Sequence, residues 1–350
     1  MNLSPDRQAE LDGKITNRTL TEVDILDLAV HLHHARPRTA VLVPDPFSAD
    51  IPVGAVAILR SKLAFSFACA AVNDSLVHGE LPLCKGVKYL PEVLQPNVVH
   101  QNVLAKAAFF AEMLQARKAV VYADLGIDNH IREALALAKT LKLPVEVRVL
   151  RLPDFWGGKD YLDRMDEAKQ AILSIKALPK SILSRSTARI AAKLAKQSLT
   201  AADLWAMVAY FRDGTHVVVE SPFAPSNTDR NKSITNMEAK INHYYGCFAL
   251  NYHLMRGELA YASHTKYTHT GILDDTIPHE RTLGIAAGLA ETFMGHKTVV
   301  HEDRQVSGGM KKGIAFAEKL GRPVERKRHA EWPYEFFVAD ADFWIGLHCP

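Results

Sequence analysis

Two kinds of apolar pattern alternate along the chain, and together they indicate a parallel α/β fold. Short, continuously apolar runs such as Ala119–Tyr122 and Thr298–Val300 are typical of strands that helices cover on both faces. Between these runs, apolar residues recur at helical spacing. The alternation of strand and helix predicts sheets of parallel strands joined by right-handed crossovers.

The same series of elements occurs twice, which indicates a tandem duplication. The segment Thr19–Asp24 recurs as Ser198–Asp203, and Lys118–Glu146 recurs as Lys297–Glu325, at an offset of about 179 residues. We therefore divide the chain into a first repeat (1–150), a basic helical linker (151–197), a second repeat (198–330) and an aromatic C-terminal tail (331–350).

Composition excludes several classes of protein. The 350 residues are 48% apolar and 23% charged, which is typical of a globular chain with a sizeable core. A net charge of +3 is too small to indicate nucleic-acid binding. The four cysteines form no CxxC pair, and the chain has neither a signal-peptide pattern nor a membrane-length apolar run. These features predict a cytoplasmic protein with no bound metal or cofactor.

Two segments outside the repeated elements suggest partners. Arg185, Arg189, Lys193 and Lys196 share one face of a predicted helix over 185–196, which suits either a phosphate or nucleic-acid contact or a solvated linker. The tail carries six aromatic residues between Trp332 and Trp344, and we expect it to pack on a domain or a partner chain.

Three segments of the second repeat should meet where ligands bind in parallel sheets, at the carboxyl ends of the strands. They are the loop 221–227, the polar stretch 264–281 and the turn 303–310. In the turn, free N–H groups at a helix start, two glycines and a serine hydroxyl favour a phosphate or carboxylate. A tight turn that requires glycine is the alternative interpretation.

The middle segment offers acid–base groups or acceptors for sugar hydroxyls: His264, Asp274, Asp275, His279 and Glu280. Asp275 is alternatively the cap of a helix that begins near Pro278. No ligand spacing indicates a metal site. The first repeat differs at these polar positions while the apolar positions agree, so we expect the second repeat to carry the site.

Taken in order, these motifs resemble a superfamily. Ser221-Pro222-Phe223, His264-x-x-Tyr267, Leu273-Asp274-Asp275, Glu280-Arg281 and Ser307-x-Gly309-Met310 are similar to motifs of the nucleoside 2-deoxyribosyltransferase-like superfamily, in its mostly uncharacterised bacterial and phage branch. The resemblance implies Rossmann-like, flavodoxin-type units and a nucleoside or nucleotide ligand. It also implies an oligomer, which a fused duplicate replaces in part by an internal pseudo-dimer. The transferases attack the sugar with a glutamate, and Lys311 stands in its place here.

We therefore expect a protein that binds a nucleoside or nucleotide and cleaves or transfers its N-glycosidic bond. The expected catalytic residues are His264, Asp274, Asp275 and Glu280. The expected substrate- or phosphate-binding residues are Ser221, Phe223, Tyr267, Asp303, Ser307, Gly308, Gly309 and Lys311. The alternative is a non-catalytic nucleotide sensor, or a scaffold that assembles with partners or binds nucleic acid.

Overall fold

The repeated pattern forms two separate sheets. The computed structural model describes residues 3–46, 55–90, 93–95, 98–150, 161–223, 232–269 and 271–329, without the side chains of 55–61, 161–162 and 232–237. The first unit contains α1 (Pro5–Thr16), α2 (Ile25–His34), β1 (Arg38–Leu42), α3 (Ala55–Val77), β2 (Leu81–Leu83), α4 (Lys85–Lys88), α5 (Val99–Met113), β3 (Lys118–Tyr122), α6 (Asn129–Leu141) and β4 (Val145–Arg148). After α7 (Tyr161–Ser174), the second contains α8 (Ile190–Ala195), α9 (Leu204–Asp213), β5 (His216–Glu220), α10 (Lys232–Leu254), β6 (Leu259–Tyr261), α11 (His264–Tyr267), α12 (Pro278–Thr292), β7 (Lys297–His301), α13 (Gly308–Lys319) and β8 (Val324–Lys327).

Both sheets have four parallel strands in the same order. The first runs β2-β1-β3-β4 and the second β6-β5-β7-β8. This is the order of the first four strands of a flavodoxin-like sheet. Strands β1, β3, β5 and β7 are buried along most of their length, as their apolar sequences predict. The predicted α/β class with two tandem Rossmann-like units is confirmed.

Each unit packs one of its helices against a helix of the other. Helix α2 of the first unit packs on α12 of the second, and α9 of the second packs on α5 of the first. Matching hydrogen bonds lock both contacts: the Leu20 amide donates to His279 Nδ1, and the Leu199 amide donates to His100 Nδ1, each at 3.3 Å. One continuous hydrophobic core spans the two units as a result.

Two buried ion pairs lie at equivalent places where the units meet. Lys266 Nζ lies 2.7 Å from Glu291 Oε1, and Lys88 pairs with Glu112 in the same way. A tyrosine hydroxyl, from Tyr267 in one unit and Tyr89 in the other, donates to the same carboxylate. Since buried charges are tolerated only when they are paired, each pair makes its packing arrangement specific.

The strand registers fix the correspondence between the repeats. Arg38 pairs with Leu81 and His216 with Leu259, an offset of 178 residues. From β3 onwards the offset is 179. The single offset of about 179 inferred from the sequence would place Lys85 opposite His264 and Lys88 opposite Tyr267. That offset is one residue too large for the part of each unit that includes the first two strands.

The corrected pairs matter for the site. Leu42 is the counterpart of Glu220, Val43 of Ser221 and Gly86 of His264. Tyr267 has a tyrosine, Tyr89, as its counterpart. Tyr267 is therefore common to both repeats, whereas the other three polar side chains belong to the second repeat alone.

The predicted basic helix is wrong in most of its length. Within 185–196 only Ile190–Ala195 is helical, and Arg185 has extended backbone angles. The Ser186 hydroxyl accepts a hydrogen bond from the Ala188 amide, an alternative to the helical bond that serine often provides. The four basic residues therefore do not form one helical face. Lys193 pairs with Asp203 at 2.6 Å, as Lys14 pairs with Asp24 in the first unit.

Other predicted segments fall outside the described residues. These are 151–160 of the linker, the aromatic tail 331–350 and residues 224–227 of the loop after β5. In the part of the chain that the structure describes, none of the helices is both long enough and apolar enough to cross a bilayer.

Candidate functional site

A pocket opens at the carboxyl end of the second sheet, between the end of β5, α11, α12 and the start of α13. It is lined by most of the residues predicted for the site and by small residues of α12 and α13. The polar and charged lining residues are Glu220, Ser221, Ser263, His264, Tyr267, Thr268, Asp275, Glu280, Arg281 and Ser307. The three segments predicted to converge do so in the residues that the structure describes.

Glu220 is the most unusual group in the pocket. It is the last residue of β5, so its backbone is fixed by the sheet, and its carboxyl group faces the start of α13. It has neither a hydrogen-bond nor an ion-pair partner among the described residues. Burial away from water raises the pKa of Glu220 to about 8, because no cation compensates for the lost hydration of the ionised form. The carboxyl is therefore largely protonated at neutral pH.

Ser221 and His264 form a hydrogen-bonded pair next to Glu220. Ser221 Oγ lies 2.8 Å from His264 Nε2. Burial, together with nearby His243, lowers the pKa of His264 to about 3, so the imidazole is neutral. A neutral imidazole accepts the serine proton at Nε2 when its other nitrogen carries the hydrogen. The pair can orient a hydroxyl group or a water molecule in the pocket.

Two glycines create the space for these polar side chains. A Cβ on Gly313 would overlap the Glu220 carboxyl, and a Cβ on Gly246 would overlap the His264 ring. The first unit has alanine at both corresponding positions, Ala134 and Ala68, and Ala68 lies beside Gly86, the counterpart of His264. Where the first unit has Leu42 and Ala134, the second therefore has Glu220 and Gly313. Where the first has Gly86 and Ala68, the second has His264 and Gly246. Both exchanges are coupled changes of volume and polarity.

The corresponding region of the first unit is filled by its own side chains. Lys85 Nζ lies 2.5 Å from Asp45 Oδ2, and both side chains are buried. His130, the counterpart of Gly309, is buried beside Phe109 and Phe110. Burial lowers the pKa of His130 to about 3, so its ring is a neutral packing group. In the described part of the first unit, which leaves out residues 47–54, these side chains thus occupy the places that border the pocket in the second.

The acids that follow α11 hold their own loop. Asp274 Oδ1 accepts hydrogen bonds from the Thr276 amide and hydroxyl, which lower the pKa of Asp274. Glu280 accepts from the Asp274 amide at 2.7 Å, as Gln101 accepts from the Gln95 amide in the first unit. Asp274 is exposed and is not part of the pocket lining.

Asp275 is the acid of this loop that best fits a role in the pocket. It lines the pocket, and its carboxylate pairs with Arg281 at 3.0 Å. Burial raises the pKa of Asp275 more than Arg281 lowers it. It does not cap α12, because the residue at that position is Ile277 and makes no side-chain cap.

The start of α13 is arranged for its own helix. Ser307 Oγ accepts from the Met310 amide at 3.3 Å, as Asp128 caps α6 in the first unit. Gly308 and Gly309 are exposed, and Gly309 lines the pocket. The Lys311 side chain is exposed and lies outside the pocket lining, so the geometry does not bring it together with the other residues.

The remaining predicted residues have structural contacts. The Tyr267 hydroxyl donates to Glu291, although its ring contributes to the pocket wall. Asp303 accepts from the Tyr245 hydroxyl and from the His329 amide, which ties β7 to the end of β8. Phe223 lines the pocket with its ring 6.3 Å from that of His264. Among the described residues, no group of three or more His, Cys, Asp or Glu side chains is placed to hold a metal ion.

A larger cleft, of about 750 Å³, lies at the other end of the second sheet. Several of its charged groups have partners: Lys297 contacts Glu258 and Glu325, and Arg256 and Lys327 lie over the Tyr252 ring. It contains no polar side chain comparable to Glu220, so we place the site in the smaller pocket.

A chain of three histidines runs beside this cleft. His253 Nδ1 donates to Glu258, His253 Nε2 lies 3.0 Å from His301 Nε2, and His301 Nδ1 lies 2.8 Å from His329 Nε2. Burial lowers the pKa of His301 to about 2. Tyr122 occupies the position of His301 in the first unit.

Comparison with known proteins gives one match. Residues 215–327 match the model of a domain of unknown function, DUF7768. Neither the curated proteins nor the solved structures yield a match to the chain. The matched segment begins one residue before β5 and ends with β8, so it contains the sheet and the pocket of the second unit.

Sequence reasoning missed Glu220, the group with the least ordinary environment. A glutamate at the end of an apolar run is unremarkable alone. The available signal was the pairing of Glu220 and Gly313 against Leu42 and Ala134. Reading it required the strand register, because the single offset of about 179 inferred from the sequence is one residue too large near β1.

Proposed function

We propose that the second unit binds a nucleoside or nucleotide in this pocket and hydrolyses or transfers its N-glycosidic bond. In this proposal Glu220, Asp275, Ser221 and His264 are the groups that contact the sugar and the bond to the base. The first unit has a structural role. It supplies α2, on which α12 packs, and its own counterpart of the pocket is filled.

One observation carries the proposal: a polar pocket exists in one repeat and is closed in the other by coupled exchanges. Random drift in one copy has no reason to pair Glu220 with Gly313 and His264 with Gly246. A carboxyl with a raised pKa beside neutral acceptors of hydroxyl groups suits sugar chemistry, in which one group gives a proton to the leaving base. The superfamily resemblance supports the same ligand class.

The first experiment is a thermal-shift screen with nucleosides, their 5′-monophosphates and ribose phosphates. Each stabilising compound is then incubated with the protein, and released base is measured by chromatography. We expect at least one compound to raise the melting temperature and to lose its base. As a control, Glu220→Leu/Gly313→Ala copies the closed arrangement of the first unit and should lose both effects. Equal stabilisation of this double variant would place the ligand elsewhere.

A non-catalytic nucleotide sensor is the second candidate, favoured by lysine at the position of the transferase nucleophile. A ligand that stabilises the protein and stays intact would support it.

The scaffold version, with nucleic acid bound through the basic residues of 185–196, predicts binding of an oligonucleotide that weakens steeply between low and moderate salt. Salt-independent binding, or none, would reject that version.

A further inference from the structure

We infer that Glu220 is the general acid of the second unit: it donates its proton to the departing base as the N-glycosidic bond breaks. The inference rests on the proposed function and assigns the acid step to a residue outside the motifs on which the superfamily resemblance is based. It starts from the hydrogen-bonding needs of the pocket.

The protonated carboxyl of Glu220 has a hydrogen to donate and, among the described residues, no acceptor for it. Glu220 is only partly buried and lines the pocket, so its carboxyl is accessible from the cavity, and an unpaired donor at a pocket wall suits a ligand that supplies the acceptor. A ring nitrogen or carbonyl oxygen of a nucleobase is such an acceptor. Ser221 is hydrogen-bonded to His264, and among the described residues no hydrogen bond joins it to Glu220.

The charges around the pocket keep the proton on Glu220. The cation in the described lining, Arg281, is paired with Asp275. Lys266 is buried in its pair with Glu291, and Lys312 pairs with Glu22. With no free cation at the carboxyl among the residues that the structure describes, the protonated form persists to neutral pH, which is the condition for a general acid.

The position is held rigidly, as proton transfer requires. Glu220 is on a strand whose neighbour β7 pairs with it at Val300. Gly313 leaves the carboxyl in contact with α13, while the rest of the group borders the cavity. The first unit cannot perform this step, because Leu42 has no proton to give.

The reaction balances with water as the co-reactant. The water oxygen forms a bond to the anomeric carbon, and the bond from that carbon to the base nitrogen breaks with its electron pair moving to the base. Glu220 gives its proton to the base. The proton lost by the attacking water passes to solvent, and Glu220 is reprotonated from solvent. The products are the free base and the free sugar.

Glu220→Gln tests the acid role, because the amide keeps the shape of the carboxylic acid but has no acidic proton. We expect ligand-induced thermal stabilisation to be kept and kcat for a natural nucleoside to fall by about 10²–10⁴-fold. In the wild type, kcat/KM should fall as pH rises through about 8, and this limb should be missing in the variant. Glu318→Gln, on the exposed face of α13, is the matched control and should change neither.

A substrate with a good leaving group separates acid catalysis from structure. The nitrophenolate of 4-nitrophenyl riboside departs without a proton, so Glu220→Gln should cleave this probe within a few-fold of the wild-type rate. If the variant cleaves neither substrate although it still binds the ligand, the acid role is overturned. Unchanged release of natural base would overturn it too. If the wild type releases base from no nucleoside, the proposed function itself fails.

Discussion

The raised pKa of Glu220 has a consequence for stability that needs no substrate. Its pKa changes from 4.5 in the unfolded chain to about 8 in the folded protein because of burial. Between these two pH values the folded state binds more protons than the unfolded state. The free energy of unfolding therefore falls as pH rises, by at most about 1.4 kcal/mol per pH unit from this residue.

Between pH 5 and pH 8 this linkage amounts to about 3 kcal/mol, an order-of-magnitude figure that follows from the two pKa values. Glu220→Gln removes the titration and keeps the volume. We expect the variant to gain about 3 kcal/mol on the wild type across this pH range. For comparison, a typical domain is stable by only about 5–15 kcal/mol in total.

The assay is urea denaturation of wild type and variant at pH 5, 6, 7 and 8. Histidines and surface acids titrate equally in both proteins, so their contributions cancel in the difference. Glu318→Gln, from an exposed position on α13, should give a curve parallel to the wild type. If the Glu220→Gln curve is parallel as well, Glu220 is ionised in the folded protein and the reasoning is refuted.

Three further predictions concern packing and buried charge. Gly313→Ala should lower the free energy of unfolding by about 1–3 kcal/mol by crowding Glu220. Adding Glu220→Leu should recover most of this loss, whereas additive losses in a double-mutant cycle would contradict the coupling. Lys266→Met should lower the free energy of unfolding by about 3–5 kcal/mol, because it leaves Glu291 buried and unpaired. In the same denaturation assay, the double variant Lys266→Met/Glu291→Leu should be markedly more stable than this single variant. His301 stays neutral in the folded protein but takes up a proton in the unfolded chain below pH 6.5, so acid should destabilise the wild type more than the His301→Tyr variant. An equal loss of melting temperature in the two proteins from pH 6.5 to pH 4 would contradict this.

The architecture was predictable because duplication and periodicity are both written in local patterns. The runs that became β3 and β7 are apolar throughout, and helices follow them at regular spacing. The capping threonines Thr21 and Thr200 mark the same entry into each unit. The prediction of a basic helix over 185–196 failed for a local reason as well, since the backbone is extended at Arg185, where charge spacing alone suggested a helix.

The site was predictable only in outline. Its location follows from the rule for parallel sheets, and most of the predicted residues line one pocket. Their roles depend on contacts between distant segments that the sequence does not reveal. Asp303 is engaged by Tyr245 of α10, and Tyr267 by Glu291 of α12. Lys311 lies outside the pocket because it is on the exposed face of α13.

Differences between the repeats are more informative than either repeat alone. Both copies must bury the same sheet, so positions that serve the fold agree: the ion pairs Lys88–Glu112 and Lys266–Glu291 are an example. A functional change has to be made without loss of packing. Introducing Glu220 into a core position adds a polar group that needs room, and loss of the methyl group at residue 313 provides that room.

Such compensated exchanges separate selection from decay. A decaying site loses its polar side chains one at a time and leaves cavities behind. In the first unit, Leu42 and Ala134 stand at the positions of Glu220 and Gly313, and Lys85 and Asp45 form a buried ion pair in the neighbouring region. In the second, Glu220 and His264 each face a glycine. The paired exchanges support the proposal that the two repeats serve different tasks: the first as the framework and the second as the unit that carries the pocket.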